Sequence, residues 1–575
     1  MKWIKRKPKT KQEHENGYDL SDLTDEIAYI RGIPSEHVGR FLHPTEDEMF
    51  DPYGMKNIED AGQRIIDAIQ EGQRVSVSVD VDTDGITSAV LMMRYLRNYL
   101  PHDKVDYIYA QRDHGHGLYE QVRTDVTGDW YKLTEENNKK LSKTDLLIVV
   151  DSSSNDIDGV EETLERHDLD IVILDHHEID YSLPRVDKKA LLVNPQQKGD
   201  EYPNKDLSGV GVVYKTIQVV EDMLEDYGMS RVDTSYYMDL VAVGQIGDMM
   251  SVESYENRYM MQHGLRNMNN VGLRRILKGA KKNPDFNIVS SDVSFSISPI
   301  INASARMGQI ELAIDLLLTD DDEEAKPLRL KMSKLNDKRK EIQYELVSKY
   351  REQVNEKDKI ILIIDSESNR GFNGLVAQDL AQEFKRPCFV MREHRGKLSG
   401  SGRSYGRFDT QEFLEPLGFV ETQGHAQAHG IDLPLKQLGD LEEYIKEEMP
   451  SLKEESPYVL YDIQITPDEI IESIPVIESF NYLTGTGFPE IKVRVDGAMV
   501  DERSVIGKSM NTVKVTTMDD LELIKFRVND RYASDISMMS VIDVVGTLGM
   551  NRFYHFGKRE LIQTPQIMLD DYKKK

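Results

Sequence analysis

The 575-residue sequence is poor in cysteine, in long apolar runs and in positive charge. Its single cysteine, Cys388, excludes an intrachain disulfide framework and a cysteine-rich zinc site. No apolar run approaches the roughly 18 residues that a membrane span needs. The first residues lead into polar sequence and not into the apolar core of a signal peptide. We therefore expect a protein of a reducing compartment, assigned to the cytoplasm, without export or a membrane anchor.

The formal charge of −29, from 101 acidic and 72 basic residues, does not by itself suggest a nucleic-acid partner. Net charge says nothing about local basic patches, however, and an enzyme that uses divalent metal ions concentrates acid at its centre. A chain of this length should contain three or four domains. Because the net charge leaves the question open, the sequence motifs must decide whether the partner is a nucleic acid.

An apolar run that begins at Val75 ends in three aspartates at alternate positions, followed by a glycine and a helix-forming stretch. The aspartates are Asp80, Asp82 and Asp84. Side chains at alternate strand positions share a face, so these carboxylates would converge and repel one another. A divalent cation that prefers oxygen ligands, magnesium or manganese, would relieve this repulsion. The alternative is an acidic loop that caps a helix and leaves the aspartates in solvent.

Strands and helices alternate from residue 45 to about residue 320, which predicts an α/β domain with a mostly parallel sheet. Two further strands end as the first does, one at Asp151 and the next at Asp175, His176 and His177. Ligand crevices of open parallel sheets lie outside the carboxyl ends of the strands, so these ends should meet in space. Asp248, at the end of a later helical stretch, would add an oxygen ligand, although its local pattern also fits an ordinary helix end.

The rest of the chain predicts smaller units. A periodic segment favours a connecting helix of ~30 residues, about 45 Å long. Its many lysines and arginines indicate either a solvated face or one wall of a basic groove. Next come a smaller α/β domain with glycine-rich loops and a small β-barrel. The predicted units are residues 1–44 (N-terminal extension), 45–320 (parallel-sheet domain), 321–356 (connecting helix), 357–452 (smaller α/β domain) and 453–575 (barrel).

Taken in order, these motifs resemble the RecJ single-strand-specific exonucleases of the DHH phosphoesterase superfamily over nearly the whole chain. The family's Asp-x-Asp-x-Asp-Gly motif stands at 80–85 and its Asp-His-His motif at 175–177. The remaining matches are the acids at 151 and 248, the Glu-Asn-Arg at 256–258, the basic glycine-rich loop at 112–118, the stretch at 299–308 and the glycine–histidine loop at 424–430. Gln423 and His429 depart from the family pattern in that last loop.

The resemblance implies two divalent metal ions, with Mn²⁺ preferred and Mg²⁺ as the alternative, because manganese accepts a histidine among carboxylates more readily. The implied metal ligands are Asp82, Asp84, Asp151, His176 and Asp248, with Asp80 and Asp175 as the residues that support them. His177 is counted with the catalytic residues. It should face away from the metal, toward the phosphate, because adjacent side chains of an extended segment point apart.

For the substrate, the resemblance implies digestion of single-stranded DNA in the 5′→3′ direction with release of 5′-mononucleotides. The residues matched to groups that hold the terminal 5′-phosphate are Arg112, Ser401 and Arg403, and those matched to contacts nearer the cut are Asn302, Arg306 and His425. The terminal barrel would be OB-like, a common single-strand platform. It offers basic residues such as Lys514, Lys525 and Arg552.

Several further expectations follow from the same resemblance. The protein should be a monomer that acts in DNA repair or recombination, and a single-strand-binding protein and a helicase are its candidate partners. Two other functions stay open at this point. One is a DHH phosphodiesterase of small nucleotides or short RNA, and the other is a non-catalytic DNA-binding scaffold.

Overall fold

The computed structural model describes residues 1–9, 18–355, 357–394, 396–406, 408–449, 458–507, 510–555 and 560–575. Its helices and strands form the mixed α/β architecture that the sequence predicts, with a parallel sheet in the first large unit. Within these residues, none of the helices is both long enough and apolar enough to cross a membrane.

The first α/β unit is built on a five-stranded, fully parallel sheet with the strand order β3-β2-β4-β5-β6. The elements from the N-terminus to the end of this unit are β1 (Lys2–Lys5), α1 (Leu23–Arg31), α2 (Val38–Leu42), α3 (Ile58–Gln70), β2 (Val75–Val79), α4 (Thr83–Leu96), β3 (Val105–Tyr109), α5 (Tyr119–Val122), α6 (Gly128–Leu141), β4 (Leu146–Val150), α7 (Ile157–Arg166), β5 (Asp170–Leu174), β6 (Leu191–Val193), α8 (Gly209–Asp226), α9 (Met238–Gly247), α10 (Tyr255–Arg266), α11 (Val271–Gly279), α12 (Ser290–Asp292), α13 (Ser298–Arg306) and α14 (Glu311–Leu318).

Helices cover both faces of this sheet, so β2 and β4 are buried over their whole length. Val77 and Val79 of β2 belong to a core shared with α3, α4 and α8. Leu147 and Val149 of β4 face the other way and pack with α6 and α7. The turns that follow β2, β4 and β5 therefore lie together along the carboxyl edge of the sheet, as the sequence predicts.

A long helix and two smaller units follow. Their elements are α15 (Asp322–Arg351), β7 (Ile361–Ile364), α16 (Arg370–Phe384), β8 (Cys388–His394), β9 (Lys397–Arg403), α17 (Thr410–Leu414), β10 (Glu421–His425), β11 (Ala428–Pro434), α18 (Leu438–Glu448), β12 (Tyr458–Tyr461), β13 (Ile463–Ile465), α19 (Ile470–Asn481), β14 (Val493–Ile506), β15 (Thr512–Thr517), β16 (Glu522–Phe526), β17 (Val541–His555) and β18 (Glu560–Lys574). At 30 residues, α15 has the predicted length of the connecting helix.

Most basic side chains of α15 form a solvated face, which was one of the two interpretations of this helix. Lys331, Lys334 and Lys338 are exposed. Arg339 is the exception that bears on function, because it is half-buried and its charge acts on Arg306 of α13. The helix thus contributes one arginine to the region between the two α/β units.

The second α/β unit corrects the predicted glycine-rich loops, which are strands. Its sheet has the order β10-β11-β9-β8-β7, and only the β7–β8 pair is parallel. Close packing explains the glycines of β9. A Cβ at Gly400 would lie 2.1 Å from the carbonyl oxygen of Val390, and one at Gly402 would lie 2.4 Å from the ring of Phe389. Glycine is needed here for close approach, not for a turn.

The C-terminal unit is a β-sheet structure in which β14 pairs with both β15 and β17. The pairs β15–β16, β16–β18 and β17–β18 join the other strands. The basic residues expected on this unit are largely engaged by its own acids and carbonyls. Lys514 pairs with Glu522, and Arg552 pairs with Glu478 of α19 at 2.7 Å.

The N-terminal segment is packed against the C-terminal unit. Strand β1 pairs in parallel with β12. The buried carboxylate of Asp462 accepts hydrogen bonds from Nε and Nη2 of Arg31 at 2.8 and 2.9 Å, and from Nε of Arg6 at 2.9 Å. A buried ion pair therefore fixes the N-terminal segment to a residue that lies more than 400 positions later in the sequence.

Candidate metal centre and phosphate site

The aspartates of the first motif lie where β2 gives way to α4. Asp82 is the N-cap of α4, and its side chain accepts a hydrogen bond from the amide of Gly85 at 3.1 Å. Asp80 and Asp84 are buried on either side of it. The alternative of three solvent-exposed aspartates is wrong, although one of them does cap the helix.

Asp84 is fixed by the N-terminus of α8. Its carboxylate accepts hydrogen bonds from Oγ of Ser208 at 2.9 Å and from the amides of Gly209 and Val210 at 2.6 and 3.2 Å. Helix N-termini stabilise negative charge in this way. Gly209 also lets the start of α8 lie close to Asp151, the residue after β4, since a Cβ at position 209 would lie 2.5 Å from Oδ1 of Asp151.

The other predicted site residues converge on these aspartates. Nε2 of His176 lies 3.2 Å from Oδ1 of Asp151 and 3.5 Å from Oδ2 of Asp248. Asp151 adopts a φ of 57°, a left-handed conformation that costs a non-glycine residue of order 1 kcal/mol or more. Asp248 immediately follows α9. Turns after two strands, a helix N-cap and a helix C-terminus thus meet at one point.

The carboxylates of this cluster resist ionisation in the absence of a cation. Burial, with the charge of Asp82 added, raises the pKa of Asp84 to about 6. Burial and the charges of Asp84 and Asp82 raise the pKa of Asp248 to about 8. The pKa of Asp151 is also raised, first by burial and then by these neighbours. Each group is destabilised as an anion first by burial and then by its acidic neighbours.

Asp80 and Asp175 are different, because each has an imidazole partner. Nδ1 of His116 lies 3.1 Å from Oδ1 of Asp80, and Nδ1 of His177 lies 2.8 Å from Oδ1 of Asp175. Burial opposes ionisation of both acids, yet these histidines lower the pKa of each. In return, the charge of Asp175 raises the pKa of His177 to about 10. The pair of Asp175 and His177 is therefore ionised at neutral pH, and the charge of Asp80 raises the pKa of His116 as well.

The donor set fits divalent metal ions that prefer oxygen ligands and accept one imidazole. Three overlapping groups of side chains each bring their ligand atoms within 4.8 Å of one another. Buried Oδ1 of Asp151 makes no hydrogen bond to any described residue, as expected of an oxygen reserved for a cation. The three groups are Asp84, His176 and Asp248; Asp80, Asp82 and Asp151; and Asp151, Asp175, His176 and His177.

Arginines from both α/β units surround the crevice beside this cluster. Arg306 of α13 donates to the carbonyl of Gly371 at the start of α16, which bridges the two units. Burial lowers the pKa of Arg306 to about 9, and the charges of Arg112, Arg339 and Arg403 add to the effect. Burial and the charge of Arg112 lower the pKa of Arg403 as well. Mutually repelling, partly desolvated arginines indicate a site for a phosphate anion.

The remaining predicted substrate residues lie around the same crevice. Nη1 of Arg112 donates to the carbonyl of Val81 at 2.7 Å, beside the first aspartates. Asn302 accepts a hydrogen bond from Thr83 at 3.1 Å. Ser401 and Arg403 both approach α16, where a Cβ at Gly374 would lie 3.5 Å from Oγ of Ser401 and 2.6 Å from Nη2 of Arg403. The side chain of His425 lies outside the described part of the chain.

Two residues of this region are not among the predicted site residues. His116 contacts Asp80, and the signal for it was its position in the His-Gly-His-Gly loop at 114–117. Arg339 is one of many basic residues on α15, and helical periodicity does not separate it from its exposed neighbours. Only the packing of α13 against α15 makes it part of the site.

Comparisons with known proteins agree with this geometry. Residues 74–245 match the model of the DHH family, N-terminal domain. The chain is 27% identical to the single-stranded-DNA-specific exonuclease RecJ of Bacillus subtilis (strain 168) over 595 residues, which cover 99% of this chain and 70% of that protein. It is 26% identical over 555 residues to RecJ of Haemophilus influenzae, covering 91% of this chain and 92% of that protein.

A crystal structure of RecJ in complex with Mn²⁺ from Thermus thermophilus has the same fold. It superposes with a TM-score of 0.74 at 21% sequence identity, over 100% of this chain and 80% of that one. The resemblance to RecJ proteins is therefore confirmed along the chain.

Proposed function

We propose that this RecJ-like chain with a DHH domain is a metal-dependent exonuclease that digests single-stranded DNA in the 5′→3′ direction and releases 5′-mononucleotides. One observation carries the proposal. A cluster of buried carboxylates with raised pKa values lies beside arginines contributed by two α/β units. Such a crevice suits a phosphodiester held next to divalent metal ions, and the similarity to RecJ exonucleases supports the same conclusion.

In this proposal Asp82, Asp84, Asp151, His176 and Asp248 hold two divalent ions, Mn²⁺ by preference and Mg²⁺ as the alternative. Asp80 and Asp175 help to position these ligands and do not bind the ions themselves. When bound, the ions would supply the positive charge that activates a water molecule and neutralises the leaving oxygen. Structures of RecJ from Thermus thermophilus in complex with Mn²⁺ and with Mg²⁺ support both ions as candidates.

The protein side chains then have separate tasks. His177, with its pKa raised to about 10, is cationic at neutral pH and 57% exposed. It can donate a charge-assisted hydrogen bond to a non-bridging phosphate oxygen. Asn302 is positioned through Thr83, next to Asp82, and can donate to the same phosphate. Both roles bind and orient the substrate.

The direction of digestion rests on the resemblance to RecJ exonucleases. Arg112, Ser401 and Arg403 would hold a terminal 5′-phosphate, while Asn302, Arg306 and His425 would contact phosphates nearer the cut. A terminal phosphate carries more negative charge than an internal one and pairs better with several arginines. The crevice would therefore favour strands that carry a 5′-phosphate, and cleavage would start at that end.

The other units have supporting roles in this proposal. Residues 45–320 form the catalytic domain, 321–356 connect it to the substrate-binding domain at 357–452, and 453–575 form an OB-like platform for single strands. Residues 1–44 attach to that platform. We propose a monomer that acts in the cytoplasm in DNA repair or recombination, with a single-strand-binding protein and a helicase as partners.

The test compares four substrates in Mn²⁺: single strands with a 5′-phosphate, single strands with a 5′-hydroxyl, blunt duplex, and a cyclic dinucleotide. We expect label at the 5′ end to be released first, as mononucleotide, from the phosphorylated single strand. Resistance of that strand together with cleavage of the cyclic dinucleotide would contradict the proposal and favour a phosphodiesterase of small nucleotides.

A matched pair of variants tests the metal assignment. Asp82→Ala should abolish hydrolysis, and Asp82→Asn should do the same while keeping the N-cap of α4, since asparagine caps helices well. Asp337→Ala on the exposed face of α15 is the control and should be fully active. Thermal unfolding curves confirm folding. A folded Asp82→Asn variant that still digests DNA would exclude Asp82 as a ligand.

A further inference from the structure

Phe295 is an exposed aromatic residue in the segment that leads into α13. Its side chain is 82% exposed, more than any other large apolar side chain in the described part of the chain. It lies in the π-helical turn Val293–Ile297, immediately before α13. The neighbours Val293 and Ile297 are fully buried, so they pack the turn while Phe295 points outward. π-Helical turns are rare and often occur at functional sites.

The turn is attached to the site through two helices. It packs against α9, whose C-terminus carries Asp248. A Cβ at Gly247 would lie 3.5 Å from Oγ of Ser298, the first residue of α13. Further along α13, Asn302 and Arg306 follow Ser298 at intervals of four residues and so lie on the same helix face. Phe295 therefore lies just before the helix that carries Asn302 and Arg306.

Packing does not account for this phenylalanine. Exposure on this scale gains little from burial. No stacking of its ring on another described aromatic ring is seen. Met249, directly after Asp248, is also 72% exposed, which places a second apolar side chain at the rim. Two uncovered apolar side chains beside a site for nucleic-acid phosphates indicate contact with the apolar part of a nucleotide.

We propose that Phe295 is a substrate-binding residue that stacks on a base of the single strand in the metal crevice. The inference rests on the proposed function, because it takes single-stranded DNA as the substrate. Every base presents a π-face, so one aromatic ring serves any sequence, as an exonuclease without sequence preference requires. Paired bases of a duplex are stacked on each other and do not present a free face to the ring. Phe295 would thus also contribute to the preference for single strands.

Binding is measured first, by fluorescence anisotropy of a 5′-phosphorylated single strand in EDTA, where no hydrolysis takes place. Phe295→Ala should weaken binding about tenfold, within the range for loss of one base–aromatic stack. Phe295→Tyr should bind as the wild type does. Phe295→Leu keeps apolar bulk without a π-face and should be nearly as weak as Phe295→Ala. In Mn²⁺, KM for the strand should rise while kcat changes little.

A strand with abasic sites at its first five positions provides the decisive comparison. Wild type and Phe295→Ala should bind this strand equally, because there is no base to stack. Phe286→Ala is the control variant: Phe286 is 61% exposed on the same unit, but it lines a separate cavity with Leu265, Pro475 and Tyr482. It should leave binding of both strands unchanged.

Three results would overturn the inference: unchanged binding by Phe295→Ala, an equal loss on the abasic strand, or full binding by Phe295→Leu. Failure of the proposed function looks different. A wild-type protein that hydrolyses no DNA in Mn²⁺, but binds the normal strand in EDTA more tightly than Phe295→Ala does, would refute the nuclease and support stacking.

Discussion

Gly244 of α9 gives a sharp test of how tightly the metal ligands are built into the fold. A Cβ at this position would lie 2.5 Å from Oδ1 of Asp84, 2.5 Å from Oγ1 of Thr87 and 2.6 Å from a methyl group of Val210. The Asp84 carboxylate cannot simply turn away, because the N-terminus of α8 holds it by three hydrogen bonds. In Gly244→Ala, α9 must therefore move.

The required movement is roughly 0.9 Å, the shortfall from the 3.4 Å at which ordinary contact begins. Overpacking of this kind costs about 1–3 kcal/mol, offset by up to ~1 kcal/mol from the higher helix propensity of alanine. The net loss of stability is small. The effect on the site is larger, since α9 carries Asp248 and misplacement of a reacting group by about 1 Å can cost ~100-fold in rate.

We therefore expect Gly244→Ala to remain folded, with kcat on 5′-phosphorylated single strands reduced ~100-fold and Mn²⁺ affinity lowered. Isothermal titration with Mn²⁺, thermal unfolding and single-turnover digestion measure the three quantities. Gly439→Ala in α18 is the matched control, because a Cβ there meets no atom within 4 Å. Wild-type Mn²⁺ affinity and rate in a folded Gly244→Ala protein would refute the described contact between α9 and Asp84.

Two further predictions concern charge. In the metal-free protein the pKa values of Asp84 and Asp248 are about 6 and about 8, above the ordinary 3.8. The free energy of unfolding should therefore fall as pH rises from about 4 to about 8. Over the same range the affinity for Mn²⁺ should rise, and binding should release protons. Unfolding at several pH values and titration calorimetry in two buffers measure this; a pH-independent Mn²⁺ affinity would contradict it. Arg31→Met should destabilise the protein by about 3 kcal/mol, since it leaves the buried Asp462 with only a partly exposed partner, and Asp462→Asn added to it should recover part of that loss in a denaturant titration.

The acids and histidines of the metal cluster could be predicted from sequence because each strand-borne one follows a short apolar strand. Strands of a parallel sheet share one carboxyl edge, so local signals at Asp82, Asp151 and His176 already imply a common location. The long helix could be predicted equally well, because acidic residues precede it and apolar residues recur at helical spacing over its whole length. In both cases the local pattern and the final fold agree.

The phosphate site was harder to predict from the sequence, since its geometry depends on packing between units. Only the contact between α13 and α15 distinguishes Arg339 from the other basic residues of α15. The glycines of β9 suggested a flexible loop, but in the fold they allow strand β8 to lie close, a requirement that arises only once the sheet is assembled. Without the resemblance, Arg306 and Arg403 would have no sequence signal that links them.

The electrostatics of the cluster divide its acids into two kinds, and this division supports the proposed roles. Asp80 and Asp175 have histidine partners and lowered pKa values, so their charge is already compensated and a cation would gain little from them. Asp84, Asp151 and Asp248 have raised pKa values because they are buried and face other acids. A divalent ion gains most where anions are least compensated, and its arrival would displace the proton that Asp248, with a pKa of about 8, holds at neutral pH. This division agrees with the proposed roles, in which Asp84, Asp151 and Asp248 hold the metal and Asp80 and Asp175 fix histidines around it.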